Sequence, residues 1–174
     1  LHPAAAHAFK ALQIAVYANC NKKTLTATSS VDTYRPYSVQ LSGFLSRYDS
    51  TYLPLRNTLS NQRVWNGTTY YLKRGRIPCA VPGTSNHGWG LAIDVAIWDP
   101  TILHAVSVRN SAHWDVWNFL QTPHGALYYG FSWENPTVGV DDAHLHFFMG
   151  DEVPQGVKDM DAFFAAAGQL PPTT

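Results

Sequence analysis

Apolar residues along this chain follow two rhythms, and the elements can be read from where each one runs. Between Pro3 and Asn19 they recur at Ala5, Phe9, Leu12 and Val16, a helical spacing, with a proline where helices begin. A second helix is predicted beyond Arg35, because Leu41, Phe44, Leu45 and Tyr48 repeat at i, i+3, i+4 and i+7. A third carries Val116, Phe119 and Leu120, with Ser111 as its cap and its end near Pro123 to Gly125. Met160, Phe163, Phe164 and Ala167 mark a last amphipathic helix. Strand signals lie between these. Thr24 to Ser29 is threonine-rich, and Val64-Trp65 and Thr68 to Leu72 flank Asn66-Gly67, the pair a tight hairpin prefers. Leu91 to Ile97 is a near-continuous apolar run, the mark of a buried strand, whereas Ala143 to Met149 alternates. The elements together predict an α+β fold of short, hairpin-linked strands with helices over one side.

One residue breaks the pattern of the buried run. Asp94 sits among Leu91, Ala92, Ile93, Val95, Ala96 and Ile97, and a carboxylate there is costly unless something pairs with it. Backbone hydrogen bonds are one solution. A metal ion shared with His87, seven residues earlier in Ser85-Asn86-His87-Gly88-Trp89-Gly90, is the other. The alternating strand puts His144 and His146 on one face, and Asp141 stands at its entry. His87, Asp94 and one of those histidines make three ligands and leave a fourth position open, the arrangement of catalytic rather than structural zinc. Gly75 to Asn86, with Pro78, Pro82 and Gly83, reads as the loop that delivers His87. Trp89 fits a cleft wall or the core equally well, and His104, His113 and His124 have no partners at ligand spacing.

Composition narrows the class. A chain of 174 residues, 45% hydrophobic, is long enough for one domain with a single core and shows no internal repeat. Twelve basic and twelve acidic residues cancel, which gives no electrostatic case for nucleic acid or a membrane surface. No apolar stretch nears the roughly 20 residues of a membrane helix. Residues 1–20 lack the basic start and apolar core of a signal peptide. The 6 Trp, 9 Tyr and 8 Phe suit a groove that grips sugar or peptide, and equally a core. Residues 169–174 read as the start of a linker or tail after a domain over 1–168, one that can lead into a further, wall-binding domain.

Ser85-x-His87-x-x-Gly90-x-Ala92-x-Asp94, followed by Asp141-x-x-His144, resembles the zinc D-alanyl-D-alanine carboxypeptidase and L-alanyl-D-glutamate endopeptidase family, which includes VanY-type enzymes and phage endolysins. Tyr34-Arg35 with Gln40, and Ala80 to Thr84 before the first histidine, resemble segments of the same family, so the likeness spans about Pro3 to Gly150. It implies a small antiparallel sheet flanked by helices with one zinc ion in a surface groove. His87, Asp94 and His144 would hold the zinc, with Asp141 as general base and Arg35 stabilising the oxyanion. Ser85 and Gln40 would hold substrate. Many relatives carry Glu-x-Trp-His where this chain has Asp141-Asp142-Ala143-His144, and a second histidine follows at 146. Zinc peptidases of the lysostaphin type use His-x-His, with the second histidine on the metal and the first in catalysis, and His144-Leu145-His146 fits that too. The endolysin spacing favours Asp141 with His144, and the other assignment stays open.

The expected function is therefore that of a monomeric, zinc-dependent, endolysin-type peptidase. It would cut a peptide bond involving a D-amino acid in bacterial peptidoglycan, with no nucleic-acid or membrane partner. It would reach the wall by release from the host cytoplasm, as phage lysins do, or by export with a signal since lost. A zinc-containing wall-binding module without catalysis, and a zinc amidase cutting the sugar–peptide bond, are the rivals. The wall is an oxidising place, where Cys20 and Cys79 can pair; with no CxxC spacing they build no metal cluster.

Overall fold

The computed structural model describes residues 1–29, 32–99, 104–107, 111–133 and 143–169. The fold is α+β, with small antiparallel sheets flanked, among the described residues, by four α-helices. The chain divides into two compact units. One comprises Leu1–Tyr34 with Trp89–Thr174, and the other Arg35–Gly88.

In the first unit, α1 (Pro3–Asn19) is alanine-rich, which favours helix, and opens with Pro3 at a position that needs no N–H donor. It buries Ala5, Ala8, Phe9, Leu12 and Val16. The strands are β1 (Thr24–Ala27), β5 (Ala92–Asp99), β6 (His104–Ser107), β7 (Phe131–Trp133) and β8 (His144–Phe147). They run in the order β1-β5-β8-β7, with β6 also paired to β5, and every pairing is antiparallel. β5 is the hub. Its early residues Ala92–Asp94 lie against β8, and its later ones against β1 and β6. Ala92, Ile93, Val95, Ala96 and Ile97 are all buried, which accounts for the unbroken apolar run. Phe131, Leu145 and Phe147 fill the core beside Phe9, and each such side chain contributes about 1.5–3 kcal/mol by leaving water.

Two more helices belong to this unit, α3 (Trp114–Leu120) and α4 (Gln155–Ala166). His113, and not Ser111, stands at the N-cap position of α3. A 3-10 turn, Ser111–His113, comes first, and the helix starts without a side-chain cap. α4 buries Gly156 and Val157, and Phe163, expected on its inner stripe, is 68% exposed.

The second unit holds α2 (Tyr37–Arg47), β2 (Tyr48–Asp49), β3 (Arg63–Trp65) and β4 (Thr68–Leu72), with strand order β2-β4-β3. Asn66 and Gly67, both at positive φ (48° and 75°), turn β3 into β4 as the sequence predicts. Tyr48, read as the last residue of the helical stripe, instead begins β2. It stacks on Phe44 with ring centroids 4.6 Å apart. With Leu72 these two rings make an apolar cluster of their own, beside the larger one of the first unit among the described residues. Burial pushes the Tyr48 phenol up from its ordinary pKa.

The second unit also has a polar centre. Asn57 is fully buried, accepts from Leu53 N–H at 2.9 Å and donates to Asp49 Oδ2 at 3.0 Å and Tyr71 O at 3.2 Å. Asp49 is further paired with Arg56 at 2.9 Å and Lys73 at 3.5 Å.

Candidate metal centre

His87 lies in a short 3-10 helix, Asn86–Trp89, at the end of the predicted loop. Two backbone bonds fix it. Gly88 N–H donates to Ser85 O at 2.8 Å, and Arg35 N–H donates to His87 O at 3.0 Å. The His87 side chain is buried. The helix runs straight into β5 through Gly90, at φ 68°. A Cβ at Gly90 would meet the backbone of Leu1 and His2, whose N–H donates to Gly90 O at 2.8 Å. Positive φ and close backbone approach together explain a glycine four residues before Asp94.

Asp94 is positioned by β5. Its carbonyl accepts from Thr28 N–H at 2.9 Å, and across the other pairing it stands opposite His144 on β8. The Asp94 Oδ1 and His144 Nδ1 atoms are 3.0 Å apart, with both side chains mostly buried. His87, Asp94 and His144 each offer one ligand atom, and the three atoms lie within 4.8 Å of one another. Zinc bonds of about 2.0–2.1 Å in tetrahedral array set ligand atoms roughly 3.3 Å apart, so the spacing suits a small divalent ion. Two imidazoles and one carboxylate also suit an ion of intermediate softness. This group can hold a metal ion.

The register separates the two late histidines. His144 pairs with Asp94, whereas His146 pairs with Ala92, one repeat further along the same face. Among the described residues, the metal-capable group includes His144 and not His146.

The other predicted residues divide two ways. Arg35, Gln40 and Ser85 line one pocket of about 210 Å³ within the second unit. Gln40 is nearly buried, and its amide is spent on the backbone: Nε2 donates to Arg35 O at 2.7 Å, and Oε1 accepts from Gly83 N–H at 3.0 Å. It therefore ties the Arg35 segment to the turn Val81–Thr84, closed by Thr84 N–H on Val81 O at 3.0 Å, just ahead of Ser85. Asp141 lies outside the described residues.

Trp89 is 66% exposed and so is not a core residue. Cys20 and Cys79 are free thiols. Cys20 belongs to the core of the first unit, and burial, reinforced by Asp115, pushes its thiol up to about 11. Such a thiol is inert at neutral pH. The sequence reading missed Arg47, a further lining residue of the pocket in the second unit. Val39, Gly43 and Arg47 form an i, i+4, i+8 stripe on α2, beside the apolar stripe that drew attention first.

Comparison of the chain with protein-family models, with curated proteins and with solved structures finds no match.

Proposed function

We propose that the protein is a zinc-dependent peptidoglycan peptidase, hydrolysing a peptide bond that involves a D-amino acid in the stem peptide or cross-link of the bacterial wall. One observation carries this reading: the approach of His87, Asp94 and His144 to within 4.8 Å of one another. The order of these residues, with Arg35 and Ser85 before them and Asp141 between Asp94 and His144, is that of the wall peptidases the sequence resembles.

Bound at this group, a zinc ion would supply Lewis acidity, polarising a carbonyl and lowering the pKa of a water toward neutrality. The remaining work falls to the chain. His87, Asp94 and His144 are the residues that would hold the ion. Asp141 takes a proton from the attacking water and returns it to the leaving amine. Arg35 presents a fixed positive charge to the oxygen on which negative charge develops. Gln40, through the Arg35 carbonyl, holds that segment in place before substrate arrives.

Mass spectrometry of wall digested by the purified protein tests the reading. The expected products carry a new amino and a new carboxyl terminus within the peptide, and Asp141→Ala lowers their rate of release by about a hundredfold or more. Products cut between sugar and peptide would make the protein an amidase, and an undigested wall would leave it a binding module.

A further inference from the structure

No acidic residue occurs between Asp49 and Asp94, while Arg56, Arg63, Lys73, Arg74 and Arg76 all fall in that stretch. Three of these arginines gather beside exposed apolar side chains. Residues 56–58 run antiparallel to 72–74: Asn57 bridges Lys73, Thr58 N–H donates to Leu72 O at 2.9 Å, and Arg74 N–H donates to Arg56 O at 2.8 Å. Two turns leave this short ladder at the same end. One is closed by Arg56 N–H on Leu53 O at 2.9 Å, the other by Arg76 N–H on Lys73 O at 3.1 Å, with Gly75 at φ 75°. The Arg74 side chain ties them together, donating to Pro54 O through Nε at 3.3 Å and Nη2 at 3.0 Å. Leu55 stands at the tip of the first turn, 96% exposed, and Ile77 follows the second, 74% exposed. Arg56, Arg74 and Arg76 are exposed as well. Asp49, the nearest acid in sequence, is shared by Arg56 and Lys73, so two cations meet one carboxylate and the sum stays positive.

A single leucine in water is ordinary on a protein surface. Leu55 and Ile77 differ in being held on adjoining, braced turns, each next to an arginine in sequence and far from any acid along the chain. We propose that this pair of turns docks on an anionic lipid surface. Leu55 and Ile77 enter the boundary between headgroups and acyl chains, while Arg56, Arg74 and Arg76 meet lipid phosphates. A bilayer interface offers both halves of this chemistry, negative charge above and apolar matter beneath. A soluble polyanion would use the arginines and leave the two apolar side chains in water. An apolar protein groove would take Leu55 but desolvate the guanidinium groups around it, at a cost. Backbone bonds already fix both turns, so docking adds little ordering cost. Overall neutrality conceals this surface, because the balancing acids lie elsewhere in the chain. Docking of this kind needs neither zinc nor catalysis, so it stands apart from the peptidase reading.

The test is co-sedimentation of the full chain with phospholipid vesicles, made of phosphatidylcholine alone or mixed with phosphatidylglycerol. The expected result is at least about tenfold stronger binding to the anionic vesicles, declining as salt is raised. Leu55→Ser combined with Ile77→Ser lowers that binding at least about tenfold, since both apolar contacts are lost. Arg76→Gln lowers it about fivefold, the share of one basic residue near such a surface. All three positions are exposed, so the variants keep the wild-type melting temperature. Vesicle binding is expected unchanged in chelated protein, so it can succeed where wall digestion fails. Failure to bind anionic vesicles, equal binding to neutral ones, or a Leu55→Ser/Ile77→Ser protein that binds like the wild type overturns the proposal. The last of these, with inorganic polyphosphate bound as tightly as the vesicles, would mark a site for soluble polyanions instead.

Discussion

Asn57 shows how much one buried side chain can organise. Its amide satisfies the Leu53 N–H, the Asp49 carboxylate and the Tyr71 carbonyl at once, from a fully buried position. Asn57→Ala would leave a buried donor and acceptor without partners and uncover a carboxylate. The expected cost is about 2–3 kcal/mol, read as a lower denaturation midpoint with an unchanged slope. A loss below about 0.5 kcal/mol would mean that water replaces the amide. Nothing in the sequence announced this residue, since asparagines in loops are common and burial is a property of the fold. Asp94 was different. A single carboxylate in an apolar run is visible without coordinates, because its desolvation must be offset by something.

At the scale of elements, strand register distinguishes two histidines that the alternation of the sequence leaves equivalent. His144 and His146 are equivalent by alternation, both on the same face of β8. Only pairing with β5 brings one of them opposite Asp94, and that one is His144. His144→Ala should therefore abolish metal binding, while His146→Ala should retain it to within a few-fold in affinity. Isothermal titration with zinc distinguishes them, and the reverse pattern would favour the His-x-His assignment. The helix and strand positions themselves were largely legible: α1 begins and ends where its period does, and Asn66-Gly67 makes its hairpin. The errors lie where local signals compete. Tyr48 continues the helical stripe of α2 but is claimed by pairing with Leu72, and Ser111 is a good cap used to start a 3-10 turn. β6 gave no pattern of its own; its edge is defined by pairing with β5, a long-range fact.

For the whole molecule, overall neutrality hid a strong segregation of charge. Composition alone gave no electrostatic case for nucleic acid or a membrane surface, yet Arg35–Gly88 is strongly basic, and the acids are concentrated in the rest of the chain. Both units use this charge to stabilise themselves. Burial alone would raise the Asp49 carboxyl, but the hydrogen bond from Asn57 and the charges of Lys73 and Arg56 outweigh it and hold the group below its usual range. In the first unit, burial of Asp115 is likewise outweighed, chiefly by the hydrogen bond from Lys23 at 2.6 Å. A carboxyl depressed in the folded state adds stability that is fully present above its unfolded pKa of about 3.9. That stability is lost as pH falls through the lower folded value. The protein should thus hold its melting temperature from neutrality down to about pH 5 as far as these two groups decide it, then lose stability steeply below about pH 4. Asp49→Asn should flatten the acid limb of a thermal-denaturation series, and an unchanged limb would remove Asp49 from the account.

All of the chemistry proposed here depends on one ion bound by three side chains. The most direct measurement is the zinc content of the purified full chain after exhaustive dialysis against metal-free buffer and titration back with zinc, alongside Asp94→Ala. The expected result is one tightly held equivalent per chain in the wild type and none in the variant, with wall digestion lost on chelation and restored by zinc. A wild-type chain that binds no zinc, or one that digests its target at full rate without it, would contradict the metal centre.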